Sequence, residues 1–469
     1  MKKIIDSFVL LGSLLVLSSL FVSCDDFLDI RPKKIVIPET CEDYERLLND
    51  LYITRGSETY QNYLTDDLYL DDNESAPRGG FHTSAGYARN LYSFQSEIFG
   101  ESEEDTFWEG SYNRIYTYNT IIEFVMQSTR ATEEKKLSVK AEALVGRAFE
   151  YLNLVNGYAK HYDKQTASAD PGVPLILKPD IALSNLTRAS VQEVYDQVLS
   201  DLNEAEKNLP TTPVGNAYRA TKAACKSLKA RMYLYMGDYQ KALENALSAL
   251  NEKSVLIDYK EHRVIDPTRL FGRNTLPQGP DNPETIYLRE VPNIMGLNSF
   301  VFGSEDLISI FDTENDQRYK IYFSYQYSTQ TYDKPLWLPY IRPNVGMSTP
   351  EVFLIAAECE ARLGRTADAL KHLNALRSNR LLNYQPVETQ DQTQLLKLIL
   401  DERRREMIFV GGTRLIDLKR MAKEPNGVKK ITHKVGQQQH AINTDDPKMV
   451  LPIPLKVLTY NPNMVPNER

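Results

Sequence analysis

Two separate stretches of the chain carry the same pattern of small residues around a glycine. Small side chains at such positions let two antiparallel helices approach closely, and the glycine lets the chain turn between them. The pattern therefore predicts two helix pairs, at residues 219–251 and 350–380, which turn at Gly237 and Gly364. The matching positions are Ala230, Gly237, Ala242 and Leu243 in the first stretch and Ala357, Gly364, Ala369 and Leu370 in the second.

This spacing is typical of tetratricopeptide helix pairs. The two copies are far apart in sequence, so we expect helix pairs interrupted by a large insertion and not a regular solenoid. Apolar residues at helical spacing, and a capping box at Ser190 and Glu193, predict further helices. We therefore predict a mostly α fold. The further predicted helices cover residues 42–52, 108–126, 133–162, 190–209, 392–410 and 413–421.

Two long regions lack a helical period and interrupt this scaffold. Residues 65–107 are rich in Asp, Gly, Ser, Tyr and Phe, and residues 255–348 are rich in Pro, Gly, Asn and aromatic residues. The second region contains short strand-like runs at 285–289 and 321–325. Long irregular segments in compact domains are often functional. We expect the loops and short strands of these regions to form a ligand-binding face.

The N-terminus has the pattern of an export signal that ends at a cysteine. Two lysines precede an uncharged run from Phe8 to Val22, and a run this short cannot span a bilayer, which takes about 20 apolar residues. Cys24 follows closely, as in a bacterial lipoprotein, although Phe21 stands where Leu is usual. The pattern predicts a lipid on Cys24. An ordinary secretory signal followed by a chance cysteine is the alternative interpretation.

This interpretation divides the chain into a signal, a tether and a domain, and the composition fits a globular protein. A net charge of −8 argues against nucleic acid as a partner, because phosphate binding needs a basic surface. An exported protein could pair two of Cys41, Cys225 and Cys359, but we expect free, buried thiols. The predicted divisions are a signal peptide at 1–23, a lipidated N-terminus and tether at 24–40, and one domain at 41–469 with parts at 41–254 and 255–469.

Five segments of the chain carry distinctive motifs, and the strongest is 402–420 (ERRREMIFVGGTRLIDLKR). The other segments are 24–29 (CDDFLD), the helix motif of Trp108, Tyr112, Ile115 and Asn119, the stretch 147–158 followed by 172–175 (GVPL), and 451–454 (LPIP). In their order along the chain, the five segments resemble the RagB/SusD family of bacterial outer-membrane nutrient-uptake lipoproteins, and the resemblance covers essentially the whole mature chain.

The resemblance implies a fold, a location and a partner. It implies tetratricopeptide-like helix pairs as the scaffold, with irregular insertions that form the ligand face. It implies a lipid-anchored protein that faces the cell exterior at the outer membrane and captures an oligosaccharide for a SusC-like TonB-dependent barrel. Two alternatives stay open: a peptide-capturing lid of the RagB type, and an interaction subunit of the transporter with little ligand contact.

Motifs for catalysis or metal binding do not stand out in this sequence. The six histidines do not form an HExxH pair, and GxSxG and GxxxxGK[ST] motifs are absent from the chain. Residues 312–316 resemble the start of a calcium loop, but Gln317 stands where such a loop needs glycine. We therefore expect no enzyme activity, no cofactor and no metal site.

Two clusters of charged residues could suggest a metal site or catalysis, but we expect both to be structural. The aspartates of residues 66–72 could bind a cation, but we expect a solvated acidic loop. The charged residues of 402–417 are expected to form an ion network that holds two helical segments together, because buried charges need partners. The first cluster is Asp66, Asp67, Asp71 and Asp72, and the second is Glu402, Arg403, Glu406, Arg414 and Asp417.

Candidate ligand-binding residues come from the two irregular regions. A sugar binder needs flat aromatic faces for the ring, together with amide, guanidinium or carboxylate groups for the hydroxyls. The family has no fixed motif at these positions, so none of the candidates comes from the resemblance. The candidates are Arg78, Tyr87, Arg89, Asn90, Tyr92 and Phe94 in the first region and Asn298, Phe300 and Trp337 in the second.

Overall fold

Helices form the scaffold of the protein. The structure, a computed structural model, describes residues 38–56, 58–73, 80–100, 103–180, 186–291 and 301–469. The predicted signal peptide, Cys24 and nearly all of the predicted tether lie outside these residues. Residues Thr40–Arg469 form one compact unit. Among the described residues, no helix is long and apolar enough to cross a membrane.

The long helices lie where the apolar periods predict them. Asp105, Thr132 and Ser190 cap helices with their side chains, and Ser190 forms the predicted capping box with Glu193. The described helices are α1 (Cys41–Leu48), α2 (Gly86–Tyr92), α3 (Thr106–Phe124), α4 (Glu133–Tyr158), α5 (Val191–Glu206), α6 (Lys222–Met236), α7 (Tyr239–Glu252), α8 (Glu305–Ser309), α9 (Gln317–Tyr322), α10 (Thr349–Arg362), α11 (Thr366–Ser378), α12 (Gln392–Glu406), α13 (Thr413–Met421) and α14 (Leu455–Tyr460).

Most of the long helices stack in chain order. From α3 to α7 each helix packs on the next, and α10 then packs on α7 before α11 and α12 continue the stack. The two pairs with the shared pattern, α6–α7 and α10–α11, are therefore neighbours in space although they are far apart in sequence. The insertion of residues 255–348 therefore does not separate α7 from α10, which pack directly against each other.

Both helix pairs turn at the predicted glycines. Gly237 has φ +74° and Gly364 has φ +76°, in the left-handed region that side chains with a Cβ rarely adopt. The alanines of the pattern, such as Ala230 and Ala357, are fully buried between the helices. The pattern thus marks close helix contact, as predicted.

The insertion contributes most of a small antiparallel sheet. The sheet has strand order β1-β3-β5-β4, and two pairs, β2 with β6 and β7 with β8, lie outside it. The described strands are β1 (Leu68–Tyr69), β2 (Thr285–Tyr287), β3 (Phe302–Gly303), β4 (Phe323–Tyr327), β5 (Gln330–Trp337), β6 (Met347–Ser348), β7 (Lys430–Val435) and β8 (Gln438–Asn443).

Several element predictions need correction. The helices predicted at 42–52 and 133–162 end at Leu48 and Tyr158. The strand predicted at 321–325 begins at Phe323, because Ile321 belongs to α9. The helix predicted to reach residue 410 ends at Glu406, and Phe409 and Gly411 then take positive φ angles that a helix cannot contain. The β7–β8 hairpin, which turns at Gly436 with φ +59°, was not predicted.

The predicted state of the cysteines agrees with the structure. Among the described residues, Cys41, Cys225 and Cys359 are free and buried. Burial raises the pKa of the Cys225 thiol to about 12, so this thiol stays protonated. These cysteines therefore act as small apolar side chains in the core.

Candidate functional site

The four-stranded sheet joins the two irregular regions of the sequence. Strand β1 comes from the first region, and β3, β4 and β5 come from the second. Tyr69 on β1 pairs with Phe302 on β3, and Phe302 pairs with Leu336 on β5. Residues that pair directly across strands point to the same face of a sheet. The sheet therefore gathers side chains from both regions on one surface.

This surface carries a row of aromatic rings, and we call it the aromatic face; it comprises Tyr69, Phe302, Tyr332 and Lys334. The Phe302 ring lies 6.4 Å from the Tyr69 ring and 5.7 Å from the Tyr332 ring, between centroids. Nζ of Lys334 lies 3.9 Å from the centre of the Tyr69 ring, a cation–π contact. The two tyrosines and the lysine are partly exposed, whereas Phe302 is buried beneath them.

The chemistry of the aromatic face suits a flat, hydroxylated ligand. The tyrosine rings offer apolar faces, the Lys334 ammonium offers hydrogen-bond donors, and the Tyr332 hydroxyl oxygen can accept a hydrogen bond. The Tyr332 hydroxyl donates to Oε1 of Gln330 at 3.1 Å, which orients the ring. None of the four residues of the aromatic face was among the predicted ligand residues. The period-two spacing of Tyr332, Lys334 and Leu336, which places them on one face of a strand, was a signal that could have found two of them.

Tyr92 and Phe94, which we predicted as ligand residues, lie in the core instead. Their rings enclose the imidazole of His433, at centroid distances of 4.1 Å for Tyr92 and 4.7 Å for Phe94. Nδ1 of His433 lies 2.7 Å from the carbonyl oxygen of Tyr92, and Nε2 lies 2.8 Å from that of Thr65. Burial lowers the pKa of His433, while the two carbonyls favour a protonated ring. These aromatic residues therefore hold β7 against the first region.

Trp337 also lies in the core. It is the last residue of β5, and its ring meets the ring of Phe409 edge to face at 5.1 Å. Its ring is therefore closed to a ligand in this structure. The predicted ligand residues Arg78, Asn298 and Phe300 lie outside the described residues, in segments that adjoin β1 and β3 in sequence.

The three predicted residues on α2 are at least partly exposed but have structural contacts. Nη1 of Arg89 donates to the carbonyl oxygen of Ser84 at 2.6 Å, and Nδ2 of Asn90 donates to that of Ile98 at 2.9 Å. The Tyr87 ring packs against Phe99, and burial raises the pKa of its hydroxyl to about 12. Their part in ligand contact stays a prediction.

Asp66 and Asp67 form part of a buried ion cluster, so the predicted solvated acidic loop is wrong for these two residues. Both oxygens of Asp66 accept bonds from Arg414 at 2.8 Å, and Asp67 accepts one from Nε of Arg404 at 2.6 Å. Against the effect of burial, Arg414 holds the pKa of Asp66 well below its usual value. Among the described residues, no group of His, Cys, Asp and Glu could hold a metal ion.

Among the described residues, the ion network predicted for residues 402–417 holds the two helical segments together only through Arg403 and Asp417. Glu402 and Glu406 pair with arginines of other elements, and Arg414 pairs with Asp66. Nη2 of Arg318 on α9 lies 2.6 Å from Oε1 of Glu402, and Nη2 of Arg380 lies 2.9 Å from Oε1 of Glu406. Against burial, Arg318 lowers the pKa of Glu402 strongly. These carboxylates are therefore fixed, charged partners of arginines, a role that is structural.

Comparison with protein families supports one assignment along most of the chain. Residues 26–234 match a model described as "Starch-binding associating with outer membrane", and residues 347–469 match a model described as "SusD family". SusD-like protein P2 of Formosa agariphila is 24% identical over 519 aligned positions, covering 97% of this chain and 98% of that protein. SusD-like protein P38 of the same organism is 27% identical over 303 positions, and the match spans 53% of its length.

Solved structures share the fold. A SusD superfamily protein of Bacteroides thetaiotaomicron aligns with a TM-score of 0.71 and 21% identity, covering 92% of this chain and 100% of that one. A putative sugar binding protein of Bacteroides vulgatus aligns with a TM-score of 0.70 and 22% identity, covering 92% of this chain and 99% of that one. A SusD-like carbohydrate binding protein of the same species aligns with a TM-score of 0.65 and 20% identity, covering 91% of this chain and 97% of that one. At these identities the likeness establishes the helical, tetratricopeptide-like architecture.

Proposed function

The chain belongs to the SusD/RagB family of carbohydrate-binding, outer-membrane-associated proteins, which are binding proteins and not enzymes, and we propose that it captures an oligosaccharide at the cell surface. In this proposal Cys24 carries the lipid anchor. The captured sugar passes to a SusC-like TonB-dependent barrel. The family assignment supports the location and the ligand class, and the N-terminal pattern of the sequence supports the anchor at Cys24.

The observation that supports sugar capture is the aromatic face. Tyr69 and Tyr332 offer apolar ring surfaces to the C–H side of a sugar ring, while Lys334 donates to its hydroxyls. The residues come from both irregular regions, so a bound sugar would touch both. Arg89 is a further candidate contact because its side chain is only partly buried.

A binding assay with single variants tests the proposal. The purified mature chain is titrated with a panel of neutral oligosaccharides by calorimetry, and the variants Tyr69→Ala and Tyr332→Ala are compared with Tyr325→Ala. Tyr325 is 48% exposed on the same sheet but bonds to Tyr319 on α9, so it serves as a matched control. Loss of one stacking ring is expected to weaken binding about tenfold, equivalent to about 1.4 kcal/mol.

The outcome distinguishes this proposal from its alternatives. Tenfold weaker binding in the two face variants, with Tyr325→Ala unchanged, supports capture at the aromatic face. A wild-type chain that binds none of the sugars but binds short peptides would overturn oligosaccharide capture and favour a peptide-capturing lid. Release of the protein from membranes by Cys24→Ser, measured by fractionation, is the expected result for the lipid anchor.

A further inference from the structure

A second concave surface lies at the start of α3, and it is lined by described residues other than those of the aromatic face. We call it the C-terminal groove; it lies between residues 96–100 and 103–113 on one side and residues 452–461 on the other, with Pro174, Ile176 and Leu186 at its edge. Its volume of about 800 Å³ is within the range of ligand pockets. The function proposed above does not use this groove.

The floor of the groove is aromatic and firmly held. The rings of Trp108 and Tyr112 lie 4.9 Å apart between centroids, on successive turns of α3. Below them the carboxylate of Asp105 accepts bonds from the hydroxyls of Tyr60 and Tyr158, at 2.6 and 2.5 Å, and caps α3. Because these buried contacts fix the start of α3, the floor exists before any partner binds.

The rim of the groove is acidic. Glu97, Glu103, Glu104 and Glu109 line it, and Lys456 is the one cation among the described lining residues. Lys456 lies 3.2 Å from Glu104, and both side chains are largely exposed, so this pair is weak. The remaining carboxylates give the rim a negative potential that would attract a cationic partner.

The walls favour a polypeptide over a sugar. Leu455 is 56% exposed and Tyr460 is 73% exposed at the edge, and exposed apolar groups of this kind mark interaction surfaces. The amide of Asn461 is occupied by Leu186 and Val457, and the polar groups that remain on the rim are mainly glutamates, which favour a cation over a neutral sugar. Aromatic-lined grooves of this kind hold extended, proline-containing segments.

We propose that the C-terminal groove docks an extended segment of a protein partner, in which lysine or arginine alternates with apolar residues and proline. The apolar side chains lie on the Trp108 and Tyr112 floor, and the cations meet Glu103 and Glu109 on the rim. This docking leaves the aromatic face open, so sugar and partner segment bind at the same time.

A peptide selection on the intact mature chain tests the inference. A library of short, dye-labelled peptides, in which Lys, Glu, Pro and apolar residues vary at each position, is screened by fluorescence anisotropy. Binding sequences are expected to be rich in Lys or Arg beside apolar residues and poor in Glu. For the best peptide, the double variant Glu103→Gln with Glu109→Gln, and separately Tyr460→Ser, should each weaken binding at least about fivefold, and added salt should weaken it further.

Matched controls decide the result. Tyr116→Ser removes a tyrosine that is 43% exposed on α3 but does not line the groove, and it should leave binding unchanged. Tyr69→Ala should also leave peptide binding unchanged, which separates this inference from the proposed function. The proposal is overturned if the selection yields no cationic sequences, or if the groove variants bind the peptide as tightly as the wild type. Displacement of the peptide by a neutral oligosaccharide would also overturn it.

Discussion

The guanidinium of Arg403 on α12 donates from Nε to Oδ2 of Asp417 on α13 at 2.9 Å, and both side chains are buried. Asp417 also accepts from Nε of Arg420 at 2.7 Å, and Nη2 of Arg420 reaches Glu358 on α10 at 2.8 Å. Against burial, Arg403 lowers the pKa of Asp417 to about 2. A chain of alternating charges therefore connects three helices through the core.

Removing the charge of Asp417 tests this connection. Asp417→Asn leaves Arg403 and Arg420 buried without a shared counter-charge, and we expect a loss of about 3–5 kcal/mol in the free energy of unfolding. Urea unfolding followed by circular dichroism measures the change. Asp401→Asn, which breaks the exposed pair of Asp401 with Lys397, is the control and should cost under about 1 kcal/mol. Equal costs for the two variants would contradict the structural role of the buried pair.

His161 makes the protein sensitive to acid. Burial, aided by Lys419 and Arg420, lowers the pKa of His161 from 6.5 to about 3. Between pH 6.5 and pH 3 the His161 side chain is protonated in the unfolded chain but not in the folded one. The contribution of His161 to the free energy of unfolding is therefore fully present above pH 6.5 and is lost as the pH decreases toward 3. Relative to His161→Gln, the wild type should lose about 1.4 kcal/mol for each pH unit below 6.5. Urea unfolding of both proteins between pH 7 and pH 4 measures the difference, and parallel curves would refute it.

Gly146 allows α3 and α4 to approach closely. A Cβ on Gly146 would stand well inside contact distance of the Tyr118 ring, which is fully buried. Gly146→Ala should therefore destabilise the fold by about 1–3 kcal/mol despite the better helix propensity of alanine. Thermal unfolding measures the effect. Gly86→Ala in α2, where the nearest described atom is a Glu103 oxygen at 3.6 Å, should change stability little.

The two turn glycines should respond alike to substitution. A Cβ at Gly237 or Gly364 would meet no described atom within 4 Å, so the cost of alanine there is backbone strain alone. We expect a loss of about 1–2 kcal/mol for each Gly→Ala variant. Asn variants should cost less, because Asn tolerates the left-handed region. Chemical unfolding compares the four variants, and alanine equal to or better than asparagine at either site would argue against strain.

The helical part of the fold could be predicted because its signals are local. The apolar period of α4, the capping box at Ser190 and the glycines at 237 and 364 each act within a few residues of chain. The contact between α7 and α10 could not be predicted, since an insertion separates them in sequence. It depends on two apolar surfaces that only the completed stack brings together.

The candidate site was harder to predict because burial of an aromatic ring is a tertiary property. Tyr92, Phe94 and Trp337 have the same composition cues as Tyr69 and Tyr332, yet the first three are buried. The cues cannot show that a histidine from β7 inserts between Tyr92 and Phe94. Asp66 and Asp67 looked solvated for the same reason, because their partners Arg404 and Arg414 are distant in sequence.

The sequence by itself determined the helix pairs, their turns and the family resemblance, because periodicity, glycine turns and motif order are properties of neighbouring residues. Tertiary structure decided which aromatic rings face solvent, which carboxylates are paired, and that a groove with an acidic rim forms where the start of α3 meets residues 452–461. Exposure and ion pairing depend on contacts between distant segments, and the close packing of the core establishes those contacts only when the chain has folded.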